Sequence, residues 1–150
     1  MALKGDRYEL QTDISFFMDE TASRGIIVVH DTAGSGAAMD QAVNNVSVPT
    51  GVAGNPAGLL LCDVVNKDLT TVHLNQHKDE VQVGGKVVLL KKGYVLTNNV
   101  NGTPAGNGAK AYYQSGGILT ETSGSGAVQV GRFLTTKDAD GYCKVEINIV

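Results

Sequence analysis

Three imidazoles and one short acidic turn are the residues of this chain best suited to chemistry by type and spacing. His73 and His77 stand four apart, the spacing at which two imidazoles on one helical face grip a metal. Leu74, however, stands where a zinc protease carries its glutamate, and the Leu-Thr-Thr-Val-His-Leu run of residues 69–74 favours strand and turn. His30 is a third imidazole with no evident partner. Thr136, Asp138, Asp140 and Gly141 hint at a calcium loop. Such a loop needs an acid at its first ligand position, where Thr136 stands, and a Glu at its twelfth, where Ile147 stands. A Lys-Asp-Ala-Asp-Gly turn between two strands accounts for the same residues more simply. No metal is expected.

The glycine-rich loops fall short in a similar way. Gly34-Ser35-Gly36-Ala37-Ala38-Met39 follows a strand as a dinucleotide loop should, but Met39 takes the third glycine position and no βαβ unit follows. Gly106-Asn107-Gly108 lies between two strands, with no helix to aim amide dipoles at a phosphate. Gly84-Gly85-Lys86 runs into valines instead of Ser or Thr. Ser125, flanked by Gly124 and Gly126, is linker chemistry and not a nucleophile elbow. Cys62 and Cys143 are far apart and sit in apolar runs, so buried, unreactive thiols are the default reading. The expectation is a protein with no catalytic residue and no cofactor, and not an enzyme.

Whatever these residues do, the elements around them are short strands. Nineteen glycines against three prolines and no tryptophan imply many tight turns, and 42% hydrophobic residues suffice for one core. Strands are expected at Gly25 to Val29, Leu59 to Val65, Leu69 to Leu74, Ala109 to Gln114, Ile118 to Thr120 and Val128 to Thr135. Lys86 to Lys91 and Tyr94 to Thr97, separated by Lys92-Gly93, read as a hairpin. Ala37 to Val43 has room for one or two helical turns. The end of the chain alternates most cleanly, with Cys143, Val145, Ile147 and Ile149 on one face and Tyr142, Lys144, Glu146 and Asn148 on the other. One buried and one wet face follow from that pattern. The fold class is therefore all-β, a compact β-sandwich or β-barrel of about nine short strands.

An extended N-terminal arm, residues 1–24, precedes a single β-rich domain at 25–150. Tyr8, Leu10, Ile14 and Phe16 recur on even positions, and Phe16-Phe17-Met18 is a costly apolar cluster to leave in water. Such an arm gains little by folding alone and is better satisfied on a neighbouring subunit or along the domain edge. Tyr8, Leu10, Ile14, Phe16, Phe17 and Met18 are accordingly the candidate contact residues.

Charge and hydropathy narrow the partners. Residues 1–75 carry a net −5 (four Lys/Arg against nine Asp/Glu) and residues 76–150 a net +2 (eight against six). A phosphate-binding stripe needs concentrated cations, and Lys86, Lys91 and Lys92 are the densest group, so nucleic acid is not an expected partner. No apolar run approaches the ~20 residues that cross a bilayer, and the first residues lack a secretory h-region. Synthesis in a cytoplasm, with no membrane partner, is the expectation.

Two blocks resemble a known family. One is Gly58-Leu59-Leu60-Leu61-Cys62-Asp63-Val64-Val65-Asn66 followed by residues 73–87, within which Asp79-Glu80-Val81-Gln82-Val83-Gly84-Gly85-Lys86-Val87 is the distinctive part. The other runs from Gly93-Tyr94-Val95-Leu96-Thr97-Asn98 through Pro104-Ala105-Gly106 and Ala111-Tyr112 to Gly131-Arg132-Phe133-Leu134 and Asp138-Ala139-Asp140-Gly141. Together, over residues 58–150, they resemble the capsid decoration, or cement, proteins of tailed bacteriophages. The resemblance implies a structural virion protein that binds the outside of the assembled capsid and stabilises it, with the major capsid protein and further copies of itself as partners. With the arm, it leads us to expect a homo-oligomer, a trimer, where several capsid subunits meet. The reading from another class is a β-rich carbohydrate- or host-surface-binding module, for which three Phe, five Tyr and no Trp offer few exposed rings.

Overall fold

The computed structural model describes residue 3 and residues 8–31, 45–64 and 80–149. Twelve strands and no helix lie among them. They are β1 (Tyr8–Asp13), β2 (Phe17–Met18), β3 (Ala22–Ser23), β4 (Ile27–Asp31), β5 (Asn45–Ser47), β6 (Pro56–Asp63), β7 (Glu80–Val81), β8 (Val87–Thr97), β9 (Ala109–Tyr113), β10 (Leu119–Thr120), β11 (Gln129–Phe133) and β12 (Cys143–Asn148). Ten form one mixed sheet in the order β10-β9-β11-β12-β8-β6-β4-β5-β2, with β1 added to β8, while β3 and β7 form a separate pair. The all-β class holds. The expected strand over Leu69 to Leu74, the helical turns over Ala37 to Val43 and the Gly34 loop lie outside the described residues.

The sheet curls on itself. The turn between β9 and β10 returns to β4, where the Ile27 N–H donates to the Gly117 carbonyl at 2.9 Å. A Cβ on Gly117 would stand 2.3 Å from the Ile27 carbonyl oxygen, so only glycine allows that approach. Inside the curl lies a first core that includes Ile27, Leu59, Leu61, Leu90, Tyr113, Phe133, Val145 and Ile147. A second core, on Met18, Val28, Val46, Leu60, Val81, Val87 and Leu89, covers the other side of the same central strands. Leu59 and Leu61 enter the first core and Leu60 the second, because successive side chains of β6 point to opposite faces. This is why Leu59 to Val65 reads as a continuous apolar run: the strand is buried on both sides.

The expected hairpin at Lys92-Gly93 does not exist. β8 passes straight through as one eleven-residue strand. Along one edge it takes β6 (Asp63 opposite Val87 to Leu59 opposite Leu90), then β12 (Asn148 opposite Lys92 to Cys143 opposite Thr97). Gly93 is there for a close approach, not a turn. The alternation at the end of the chain holds: Cys143, Val145, Ile147 and Ile149 are buried.

Candidate interaction surface

The N-terminal segment is laid antiparallel along β8, on the edge opposite β6 and β12. Contacts run from Leu3 opposite Thr97, through Tyr8 opposite Tyr94 and Asp13 opposite Leu89, to Phe17 opposite Lys86. Gly93 permits this. Its φ is +145°, and a Cβ there would meet the Tyr8 carbonyl oxygen at 2.0 Å. Further along, the Val87 N–H donates to the Phe16 carbonyl at 3.0 Å, the Met18 N–H to the Gly85 carbonyl at 2.9 Å, and the Gly84 N–H to the Met18 carbonyl at 2.7 Å. The Val-Gly-Gly-Lys string singled out in the sequence is thus a backbone clamp on Met18. An ion pair between Lys91 and Asp13 at 3.4 Å adds a tie.

The register contains two compensating bulges. Glu9 faces Gly93, Gln11 faces Lys92 and Thr12 faces Leu90, which leaves Leu10 as an extra residue on β1 and Lys91 as an extra residue on β8. A bulge re-aims the side chain it carries. Leu10 is 65% exposed, and Tyr8 and Ile14 are each 54% exposed. Phe16 and Phe17 are half-buried, Phe16 edge-on to His30 at 5.1 Å between ring centroids. Met18 is fully enclosed in the second core, so its side chain serves the chain's own packing. The six candidate residues therefore divide, with Tyr8, Leu10 and Ile14 facing outward and Met18 inward.

Tyr8 and Leu10, but not Ile14, border a groove of about 300 Å³ formed with Lys92, Gly93, Tyr94, Glu146, Ile147 and Asn148. Tyr8 stacks on Tyr94 at 6.0 Å, and the Lys144 ammonium lies 3.9 Å from the Tyr94 ring centroid. A second hollow, lined by Gln129, Gly131, Arg132, Glu146 and Asn148, adjoins it, with Arg132 paired to Glu146 at 3.4 Å. Sequence reasoning placed Lys144, Glu146 and Asn148 on a wet face but missed their place beside the N-terminal segment. Tyr94 was missed altogether.

The family model for structural cement proteins, described by E217 gp24 and Pam3 gp6, matches residues 7–148. The chain belongs to this phage family of structural cement proteins. The match reaches further toward the N-terminus than the resemblance over residues 58–150 and takes in β1. No curated protein matches the chain. A cement protein is a structural part of the virion associated with the capsid, and the family points to a non-enzymatic role.

The remaining candidate residues of this cement protein fall into structural positions where they are described. Asp138 accepts the N–H groups of Asp140 and Tyr142 at 2.9 and 3.0 Å, closing the turn between β11 and β12. Gly106 and Gly108 bracket a turn in which the Ala109 N–H donates to the Gly106 carbonyl at 3.1 Å. His73 and His77 lie outside the described residues. Among those described, no three of His, Cys, Asp and Glu come together in a way that would hold a metal ion. Cys143 is buried with its Sγ 3.9 Å from the Thr97 carbonyl, and burial pushes its thiol up to about 11. Cys62 is only half-buried, contrary to the expectation from its apolar run. A register shift between Leu60 and Cys62 carries it to the rim of the first core.

Proposed function

We propose that the protein binds the outside of the assembled capsid through the major capsid protein and stabilises the shell, acting as a homo-oligomer, a trimer, made in the host cytoplasm. Residues 1–24 are the attachment element in this reading. The observation that carries it is the triad Tyr8, Leu10 and Ile14, each more than half exposed, the first two on β1 along β8 and Ile14 directly after its end. Large apolar side chains grouped on one exposed segment mark an interaction surface. Holding Tyr8 and Leu10 on a paired strand also lowers the ordering cost that a loose arm would meet on binding. Several weak contacts made by one oligomer become intramolecular after the first, and binding only the mature shell shifts its stability by mass action.

The carbohydrate reading is less well supported. Tyr94 stacks on Tyr8 and is covered by the Lys144 ammonium, which leaves the half-exposed Tyr8 to offer a single ring face to a sugar. The deciding experiment is co-sedimentation of the purified protein with empty expanded capsids, alongside ultracentrifugation of the protein alone. Saturable binding and a raised capsid melting temperature are expected. Absence of binding at micromolar protein sinks the proposal, and a monomer at all concentrations removes the oligomer from it.

A further inference from the structure

The side chains of β12 that alternate away from the core fall into rows with those of its neighbours. Tyr94 on β8, Glu146 on β12, Arg132 on β11 and Lys110 on β9 stand opposite one another in turn, and Tyr8 extends the row on β1. Lys92 and Asn148 belong to the adjacent row. Lys92, Lys110, Arg132 and Asn148 are exposed, so this face of the sheet meets solvent. Two hollows of about 300 and 350 Å³ lie side by side on it, and Glu146 and Asn148 line both.

Charge selects the occupant. On these five strands Lys91 is tied to Asp13 and Arg132 to Glu146, each at 3.4 Å. Lys92, Lys110 and Lys144 remain, against Glu9. Glu9 stands in register with Gly93 and Ile147, on the other side of the pleat, and has a contact of its own. The solvent face therefore carries three cations beyond its one ion pair. Lys144 is already held over the Tyr94 ring, 3.9 Å from the centroid, which lowers the cost of ordering it on binding. A second copy presenting the same face would set cation against cation, which is costly across an interface. A continuous phosphate chain would have to pass Glu146, whose strand lies between those of Lys92 and Arg132. Separate carboxylates avoid it, one at Lys92 and another at Arg132 and Lys110, two to three strand spacings (~10–14 Å) away. Tyr8 and Leu10, each more than half exposed, take apolar side chains at the β1 end. We infer that this face docks an acidic segment of a capsid protein, with Asp or Glu carboxylates on Lys92, Lys144 and the Lys110–Arg132 pair. This rests on the capsid-binding reading and specifies the chemistry of the partner.

The test is co-sedimentation of the intact protein with expanded capsids at low and high salt, followed by carbodiimide cross-linking, which joins lysines to carboxylates in contact. The double variant Lys92→Gln, Lys110→Gln removes two positive charges from the face. A control, Thr103→Glu with Ser123→Glu, makes the same change in net charge at exposed loop sites outside these strands. All four sites are exposed, so both double variants should keep the wild-type circular dichroism spectrum. Wild-type binding should weaken as salt rises. The lysine variant should bind at least tenfold more weakly at low salt, with the control unchanged. Cross-links should run from Lys92 or Lys110 to Asp or Glu of a capsid protein. A lysine variant that binds like wild type, with no such cross-link, overturns the docking face and leaves capsid binding standing. Wild-type protein that does not sediment with capsids overturns both. An equal loss in the two double variants assigns the effect to net charge, against the proposal. Cross-links from these lysines only to another copy would give the face to self-association. Salt-sensitive binding of a single-stranded oligonucleotide that the lysine variant loses would give it to nucleic acid, and either result overturns the inference.

Discussion

Replacing Gly93 by alanine places a methyl group against the Tyr8 carbonyl, 2.0 Å from its oxygen, at a φ of +145° that side chains rarely adopt. Relief requires β1 to lift from β8 or the backbone to strain. We expect Gly93→Ala to cost about 2 kcal/mol or more in urea unfolding, and to speed exchange at the β1 amides first. A stability within a few tenths of wild type would show that β1 is not held as described. The two cysteines give a second residue-level prediction. Burial raises the Cys143 thiol to about 11, with Asp138 adding and Lys137 opposing. Cys62 is half-buried at a core rim. A thiol reagent should label Cys62 in the native protein and reach Cys143 only in denaturant. Equal rates for both would contradict this placement.

At the scale of elements, the junction of β2, β5 and β4 contains a pair of carboxyl groups. Asp19 follows β2, where its N–H donates to the Val46 carbonyl at 3.1 Å. Burial, then a hydrogen bond with Asp31 and the charges of Asp31 and Glu20, raise its pKa from 3.8 to about 7. The folded state therefore keeps a proton that the unfolded chain releases near pH 4. This contribution to stability is complete at low pH and is lost as pH rises from about 4 to about 7, then stays level. Asp19→Asn should flatten the fall over this window and leave the variant more stable than wild type at pH 8. Denaturation midpoints at pH 5 and pH 8 measure both effects. An unchanged slope in Asp19→Asn would show that another group controls it.

For the whole molecule, the shared strands β6 and β8 join the two cores. Leu60 and Leu89 serve one, while Leu59, Leu61 and Leu90 serve the other. Damage on either side is then felt by both. Leu60→Ala in the second core and Phe133→Ala in the first should each cost about 2–5 kcal/mol. Each should shift a single transition, seen alike by far-ultraviolet circular dichroism and tyrosine fluorescence. Two separate transitions in either variant would mean that the cores unfold independently.

What was legible in the residues was whatever depends on neighbours in sequence. The glycine-punctuated β-branched runs gave the all-β class, and the alternation from Cys143 to Ile149 gave a strand with one buried face. The missing acid at Thr136 pointed to a turn, and the Asp138 carboxylate indeed caps it. The even-position apolar residues near the N-terminus marked that segment as unusual. What depended on distant residues was hidden. Gly93 has the sequence appearance of a hairpin turn, and only the arrival of Tyr8 some 85 positions away in the chain makes it a close-approach site inside a long strand. The bulge at Leu10 follows from the register against β8, not from β1 itself. Met18 looks like its neighbours Phe16 and Phe17, yet it is drawn into a core by Gly84 and Gly85. Local pattern fixes which way a side chain points along its own strand. Which strand lies beside it, and so whether an apolar face is buried or offered to a partner, is decided by pairing over long sequence separations, which no local pattern encodes.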